Sequence, residues 1–268
     1  MSYPGPRLPS RLQKLLHRPL AAVRDLVYPN SCTACSQPIP AHEELSSLKA
    51  WFCPKCIPLL PWAQAPYCQR CGEMYDGAIQ RDFQCQNCEG LSYHFDFAIS
   101  ACSASDPVRE MIHRYKYGDQ LYLRGALSAL LTHALEEKRL SALDLGSWLL
   151  VPVPLHAARE AQRGYNQSWE LCARLSQRTG IPALSVLERV RETPSQARLT
   201  RHQRLENLRG AFRMCPQRFR APAPDVRGRH ILLVDDVFTT GATTSECARV
   251  LKQQGQAAQI IVLTVARG

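Results

Sequence analysis

The run Ile231-Leu232-Leu233-Val234-Asp235-Asp236-Val237-Phe238-Thr239-Thr240-Gly241-Ala242-Thr243-Thr244 narrows the possible folds more than any other part of this 268-residue chain. Four consecutive apolar residues read as a buried strand, which delivers two adjacent carboxylates to its C-terminal edge. A short loop of hydroxyls and one glycine then opens a helix, expected over residues 243–254 and closed by Gly255. Loop amides and a free helix N-terminus suit a phosphate monoester; Gly241 permits close backbone approach, and Thr239, Thr240 and Thr243 add donors. The competing reading is a strand edge whose acids merely cap the next helix, and the length of the motif favours the phosphate site.

The surrounding sequence alternates strand and helix candidates. Strands are expected over residues 96–101, 148–153, 230–234 and 259–265, and helices from Ser105 to Tyr115, over 121–140 and over 167–177 with a stop near Gly180. That alternation predicts an α/β domain with a mainly parallel sheet flanked by helices. The texture changes near residue 91, which divides the chain into a short amphipathic helix (1–27), a Cys-, Pro- and Gln-rich segment (28–90) and the α/β unit (91–268). In the first segment Arg11, Lys14, His17, Arg18 and Arg24 interrupt the leucines, so neither a signal peptide nor a membrane span is expected.

Eight of the twelve cysteines form four Cys-x-x-Cys pairs: Cys32/Cys35, Cys53/Cys56, Cys68/Cys71 and Cys85/Cys88. Each pair can present two thiolates to one tetrahedral ion, so four pairs imply two structural zinc ions. Sequential pairing gives ribbon-sized loops; a cross-braced pairing is the alternative. A segment with so few apolar residues needs such a staple. No βαβ pattern surrounds any pair, which argues against thioredoxin-like redox chemistry. Without a secretory signal, free or metal-bound thiols place the chain in a reducing cytoplasm. Cys102, Cys172, Cys215 and Cys247 are scattered and read as small core residues.

The formal net charge is +10. Residues 187–230 hold eleven Arg, no Lys and four acids, so +7 falls in one stretch. Arginine without lysine suits bidentate recognition of phosphate, against the plainer reading of a solvated face. His113, Arg114, Tyr115, Lys116 and Tyr117 form a smaller basic and aromatic cluster, able to stack bases unless Tyr115 belongs to the core.

The run over 231–244 resembles the signature of type I phosphoribosyltransferases for 5-phosphoribosyl 1-pyrophosphate (PRPP). The resemblance implies that Asp235 and Asp236 face the ribose hydroxyls and that Thr239, Thr240, Gly241, Ala242 and Thr243 hold the 5′-phosphate. It extends from about residue 95 to the end. Val153, Pro154 and Leu155, with Arg163 and Asn166, correspond to the pyrophosphate loop; Thr193, Gln196, Arg201, Arg204 and Asn207 correspond to the flexible loop over the active site. With four cysteine knuckles in front, the chain resembles the ComF/GntX family, double zinc ribbon plus phosphoribosyltransferase-like proteins linked to natural competence. That family implies PRPP with Mg²⁺, single-stranded DNA and the DNA-uptake proteins as partners.

Three functions share this pattern: a transferase for an acceptor the sequence does not name, a PRPP sensor, and a single-strand binder. The chain ends a few residues after its last strand, so no C-terminal hood is expected over the acceptor side.

Overall fold

The computed structural model describes residues 30–40, 47–77, 79, 83–192, 203, 207–216 and 225–268. The expected helix over 1–27 lies outside them, as do Thr193, Gln196, Arg201 and Arg204. Among the described residues no helix is long and apolar enough to cross a membrane.

The α/β unit is built on a four-stranded parallel sheet in the order β1-β6-β5-β2. Its strands are β1 (Phe97–Ser103), β2 (Leu149–Pro152), β5 (His230–Phe238) and β6 (Gln259–Arg267), and β3 (Leu187–Arg189) pairs antiparallel with β4 (Phe212–Met214). Apolar runs such as Ile260 to Leu263 form central strands because both faces are covered. Helices α1 (Val108–Tyr117), α2 (Arg124–Ala134) and α5 (Gln167–Thr179) contribute to the core on one face, together with Leu232 and Val234. Helix α6 (Ala242–Gln253) and the β3–β4 hairpin contribute to the other, together with Ile231 and Leu233.

Three details differ from the sequence expectations. The helix expected over 121–140 is a single turn at Leu121–Leu123, then α2, then the short α3 (Lys138–Ser141). Glu137 accounts for the break: it caps α3 by accepting from Arg139 N and also accepts from the Tyr67 hydroxyl at 2.5 Å. Strand β5 continues past Val234 to Phe238, because Asp235, Val237 and Phe238 still pair with Thr264, Ala266 and Arg267 of β6. A further helix, α4 (Ala157–Arg163), and the hairpin carry too little apolar periodicity to be read in advance.

The cysteine ribbons grip both faces of the sheet. Phe52 and Leu60 of the first join the α1/α2/α5 core, whereas Cys68, Cys71, Tyr93 and Phe95 in and after the second join the α6 core. Between them the chain covers edge strand β1: Ala63 N donates to Ala101 O, and Ser103 N donates to Pro61 O. Unpaired edges invite association, and this cover removes part of one.

Candidate phosphate site and zinc centres

Asp235 and Asp236 lie side by side near the C-terminal end of β5, where open parallel sheets bind ligands. They are addressed from different helices. Lys116, in the last turn of α1, places Nζ 2.8 Å from Asp236 Oδ1. Ser168, in the first turn of α5, donates its hydroxyl to Asp235 Oδ1 at 2.9 Å, and Asp236 N donates to the same oxygen at 3.0 Å. Asp236 Oδ2 is buried and has no hydrogen-bond partner among the described residues. Such an atom costs stability unless a ligand or water completes it.

Asp235 is half-buried. Burial pushes its carboxyl up to about 7; the Asp236 charge adds to the rise, while Lys116 and the Ser168 hydroxyl oppose it. Burial alone would lower the Lys116 ammonium, but the charge of Asp236 outweighs it and its pKa is raised.

Immediately beyond, Gly241 begins α6 in the left-handed region at φ 76°. A β-carbon there would meet the Phe238 and Tyr93 rings at 2.5 and 3.0 Å, so glycine is required by packing as well as by φ. No side chain caps α6 from its N-cap position. Helix α5 differs, since Asn166 caps it by accepting from Ser168 N at 3.0 Å and Trp169 N at 3.4 Å. Thr240 Oγ1 accepts from Ala242 N at 3.4 Å, and the remaining first-turn amides are where an anion would be held, as the sequence suggested for Thr239 to Thr243.

The loop after β2 meets the same place. Val153 N donates to Val234 O at 2.9 Å, and Asn166 Nδ2 donates to Val153 O at 3.3 Å. Arg163 Nη1 donates to Gln167 Oε1 at 2.6 Å, and its guanidinium lies over Tyr117 at 5.2 Å. Val153, Pro154, Leu155, Arg163 and Asn166 thus gather near the ends of β2, α4 and α5. Of the expected flexible loop, Asn207 is described, and its carbonyl accepts from Arg191 Nη2 at 3.0 Å. Of the basic and aromatic cluster, Tyr115 is core, donating its hydroxyl to Gln167 O, while Tyr117 is exposed. Sequence reading noted Lys116 only in that cluster and missed Ser168. The usable signal was charge: two adjacent acids at the end of a buried strand call for a cation.

The eight knuckle cysteines form two groups in sequence order, Cys32/Cys35/Cys53/Cys56 and Cys68/Cys71/Cys85/Cys88. A tetrahedral ion with zinc–sulfur bonds of about 2.3 Å holds its sulfurs about 3.8 Å apart. Here the sulfurs of Cys35 and Cys53 lie 3.8 Å apart, those of Cys71 and Cys85 3.6 Å, and those of Cys68 and Cys88 3.8 Å. Cys53 N and Cys85 N each point at a knuckle sulfur, Cys32 and Cys68, from 3.3 Å. The donor set and spacing fit two closed zinc sites. Cys102, Cys172 and Cys247 are buried in the cores, and Cys215 is half-buried.

A parallel sheet with adjacent acids and a glycine-led helix at its edge, gripped by two four-cysteine ribbons, defines an α/β protein with a double zinc ribbon. The profile of the double zinc ribbon domain matches residues 23–89. Competence protein F of Haemophilus influenzae is 33% identical over 192 residues, 71% of this chain and 80% of that protein. DNA utilization protein YhgH of Escherichia coli is 31% identical over 218 residues, 78% of this chain and 92% of that protein. Competence protein ComFC of Bacillus subtilis is 27% identical over 172 residues, 63% of each chain. A solved allosteric regulatory enzyme of purine biosynthesis aligns with 53% of this chain and 26% of its own at 20% identity, with a TM-score of 0.34, too low to bear on the fold. The chain belongs to the ComF/GntX family.

Proposed function

We propose that this chain binds PRPP, as its Mg²⁺ complex, and acts in DNA uptake in the cytoplasm. The observation that carries the reading is the pair Asp235 and Asp236 set directly before the Gly241-led start of α6. In this reading the two carboxylates accept from the ribose hydroxyls, Asp235 through its accessible face, while Asp236 Oδ2 is buried without a partner among the described residues. The 5′-phosphate sits on the amides of Thr239 to Thr243, and the pyrophosphate lies against the loop after β2 with Arg163. Mg²⁺ would arrive on the pyrophosphate and offset its charge. The DNA-uptake role draws on the names of the relatives, and the compartment on eight zinc-binding thiols that need reducing conditions. Calorimetric titration of PRPP, with and without Mg²⁺, tests it; pyrophosphate release against a panel of bases separates a transferase from a sensor.

A single-strand-binding function of the same face is the second reading, favoured by exposed aromatics beside arginines. Tyr117 is 67% and Tyr122 58% exposed; Arg163 lies over the first, and Arg114 Nη2 donates to the hydroxyl of the second at 3.0 Å. Stacked bases are worth about 1–3 kcal/mol each. Alanine at both positions should therefore weaken oligonucleotide binding at least tenfold, and unchanged binding would remove this reading.

A further inference from the structure

The anion loop is held from behind by the second ribbon. Arg267, the last residue of β6, is 4% exposed. Its Nη1 donates to Phe238 O at 3.2 Å and to Thr239 O at 2.9 Å, and its guanidinium lies 5.1 Å from the Phe238 ring centre. Its Nη2 pairs with Glu73 and faces Cys71 Sγ at 3.8 Å. Tyr93, on the exit from the same ribbon, donates its hydroxyl to Thr240 O at 2.9 Å. Tyr93 O accepts from Arg70 Nη2 at 2.6 Å, and Arg70 lies inside the Cys68–Cys71 knuckle. Tyr93 stacks on Phe95 with centres 4.8 Å apart, and Phe95 meets Phe238 edge-on at 5.7 Å, so an aromatic floor supports these bonds.

Two successive carbonyls, of Thr239 and Thr240, are thus bound by side chains anchored in or against one zinc knuckle, and the carbonyl before them, of Phe238, is shared between Arg267 Nη1 and Gly268 N at 2.9 Å. In a trans peptide the carbonyl and the following N–H point in opposite directions. Fixing the carbonyls of Thr239 and Thr240 therefore aims the N–H groups of Thr240 and Gly241 away from the ribbon, as donors to an anion. Charge supports the same connection. Zinc on four thiolates would leave a formal −2, and the Arg267 guanidinium, shared with Glu73, lies beside Cys71. The first ribbon has a different place, with Phe52 and Leu60 packed into the core on the opposite face of the sheet.

We propose that the second zinc site is a working part of the anion loop, with Arg267 and Tyr93 as positioning residues that aim its amides, while the first zinc site braces the other face. The proposal rests on reading residues 239–243 as a phosphate loop. It makes the four cysteines nearest the α/β unit part of ligand binding, not only of folding.

The test uses the full chain as Cys71→Ser, Cys53→Ser, Tyr93→Phe, Arg267→Met and Arg267→Lys. Zinc content, amide exchange across residues 238–245 and PRPP affinity are measured on each. Cys71→Ser and Cys53→Ser should each lose one zinc, but only Cys71→Ser should speed loop exchange and weaken PRPP, by about tenfold for the loss of one or two hydrogen bonds. Tyr93→Phe, a change that leaves the ring in place, should keep both zinc ions yet weaken PRPP roughly threefold. Arg267→Lys should recover part of the affinity lost in Arg267→Met. Equal effects of the two cysteine variants on exchange, or wild-type exchange and affinity in Tyr93→Phe, would overturn the proposal. A wild-type chain that fails to bind PRPP would instead sink the phosphate reading, and the exchange comparison would still decide whether this ribbon orders the loop.

Discussion

Lys116 Nζ and Asp236 Oδ1 are 2.8 Å apart, an ion pair between the last turn of α1 and the sheet edge in which the lysine side chain is 21% and the aspartate side chain 4% exposed. Removing one member of a pair this buried leaves the other uncompensated, at a cost of about 3–5 kcal/mol. Lys116→Met should lose stability on that scale in denaturant unfolding, and Asp236→Asn added to it should restore most of the loss. Additive losses in the double variant would contradict a direct pair.

The raised titration point of Asp235 has a defined sign. An unfolded aspartate titrates at about 3.9, whereas Asp235 in the fold titrates at about 7. Between those values the folded chain keeps a proton that the unfolded chain has released, so stability falls as pH rises through this window and levels off above it. Denaturant unfolding between about pH 4 and pH 8 should show that slope in the wild type and a shallower one in Asp235→Asn. A slope of opposite sign, attributable to Asp235 by the same comparison, would mean that its environment favours the charged form.

The zinc sites and the α/β core should report to each other. Ribbon residues Phe52 and Leu60 lie in one apolar core, and Cys68 and Cys71 lie in the other. The chain should carry two zinc ions, and chelation should destabilise the α/β unit itself, read from faster amide exchange in its buried strands β5 and β6. One zinc or none by elemental analysis would contradict the double site.

The strand–acid–glycine run was legible because each of its parts, the apolar strand, the acids and the glycine, has a distinct local signature. The cysteine pairs were legible for the same reason, and their grouping followed sequence order. What the sequence withheld is long-range. Lys116 and Asp236 are separated by 120 positions of chain, and Arg267 reaches Cys71 across 196. No local pattern marks such partners. Composition set a boundary near residue 91, but it could not reveal that one ribbon packs on each face of the sheet. The hairpin of β3 and β4 escaped notice because Leu187–Arg189 and Phe212–Met214 are three residues each, too short for a strand period.

The arginine-rich stretch gives a salt-dependence test. Each phosphate of a single strand that a protein neutralises steepens the dependence of binding on salt by about 0.7 log units per decade. Replacing Arg201, Arg204 and Arg209 together should flatten that slope by roughly two units if all three meet phosphates. Saturating PRPP should compete if the two ligands share the face. An unchanged slope with no competition would assign those arginines elsewhere.

The account stands most directly on the acids of β5. Losing a charged acceptor to a ribose hydroxyl costs about 1.5–3 kcal/mol per strong bond, so the pair together is worth at least a hundredfold in affinity. Calorimetric titration of PRPP with Mg²⁺ into the wild type and into Asp235→Asn with Asp236→Asn is the decisive measurement, with circular dichroism confirming that the variant is folded. The account predicts saturable binding to the wild type and none detectable to the folded variant; equal binding to both, or none to the wild type, would contradict it.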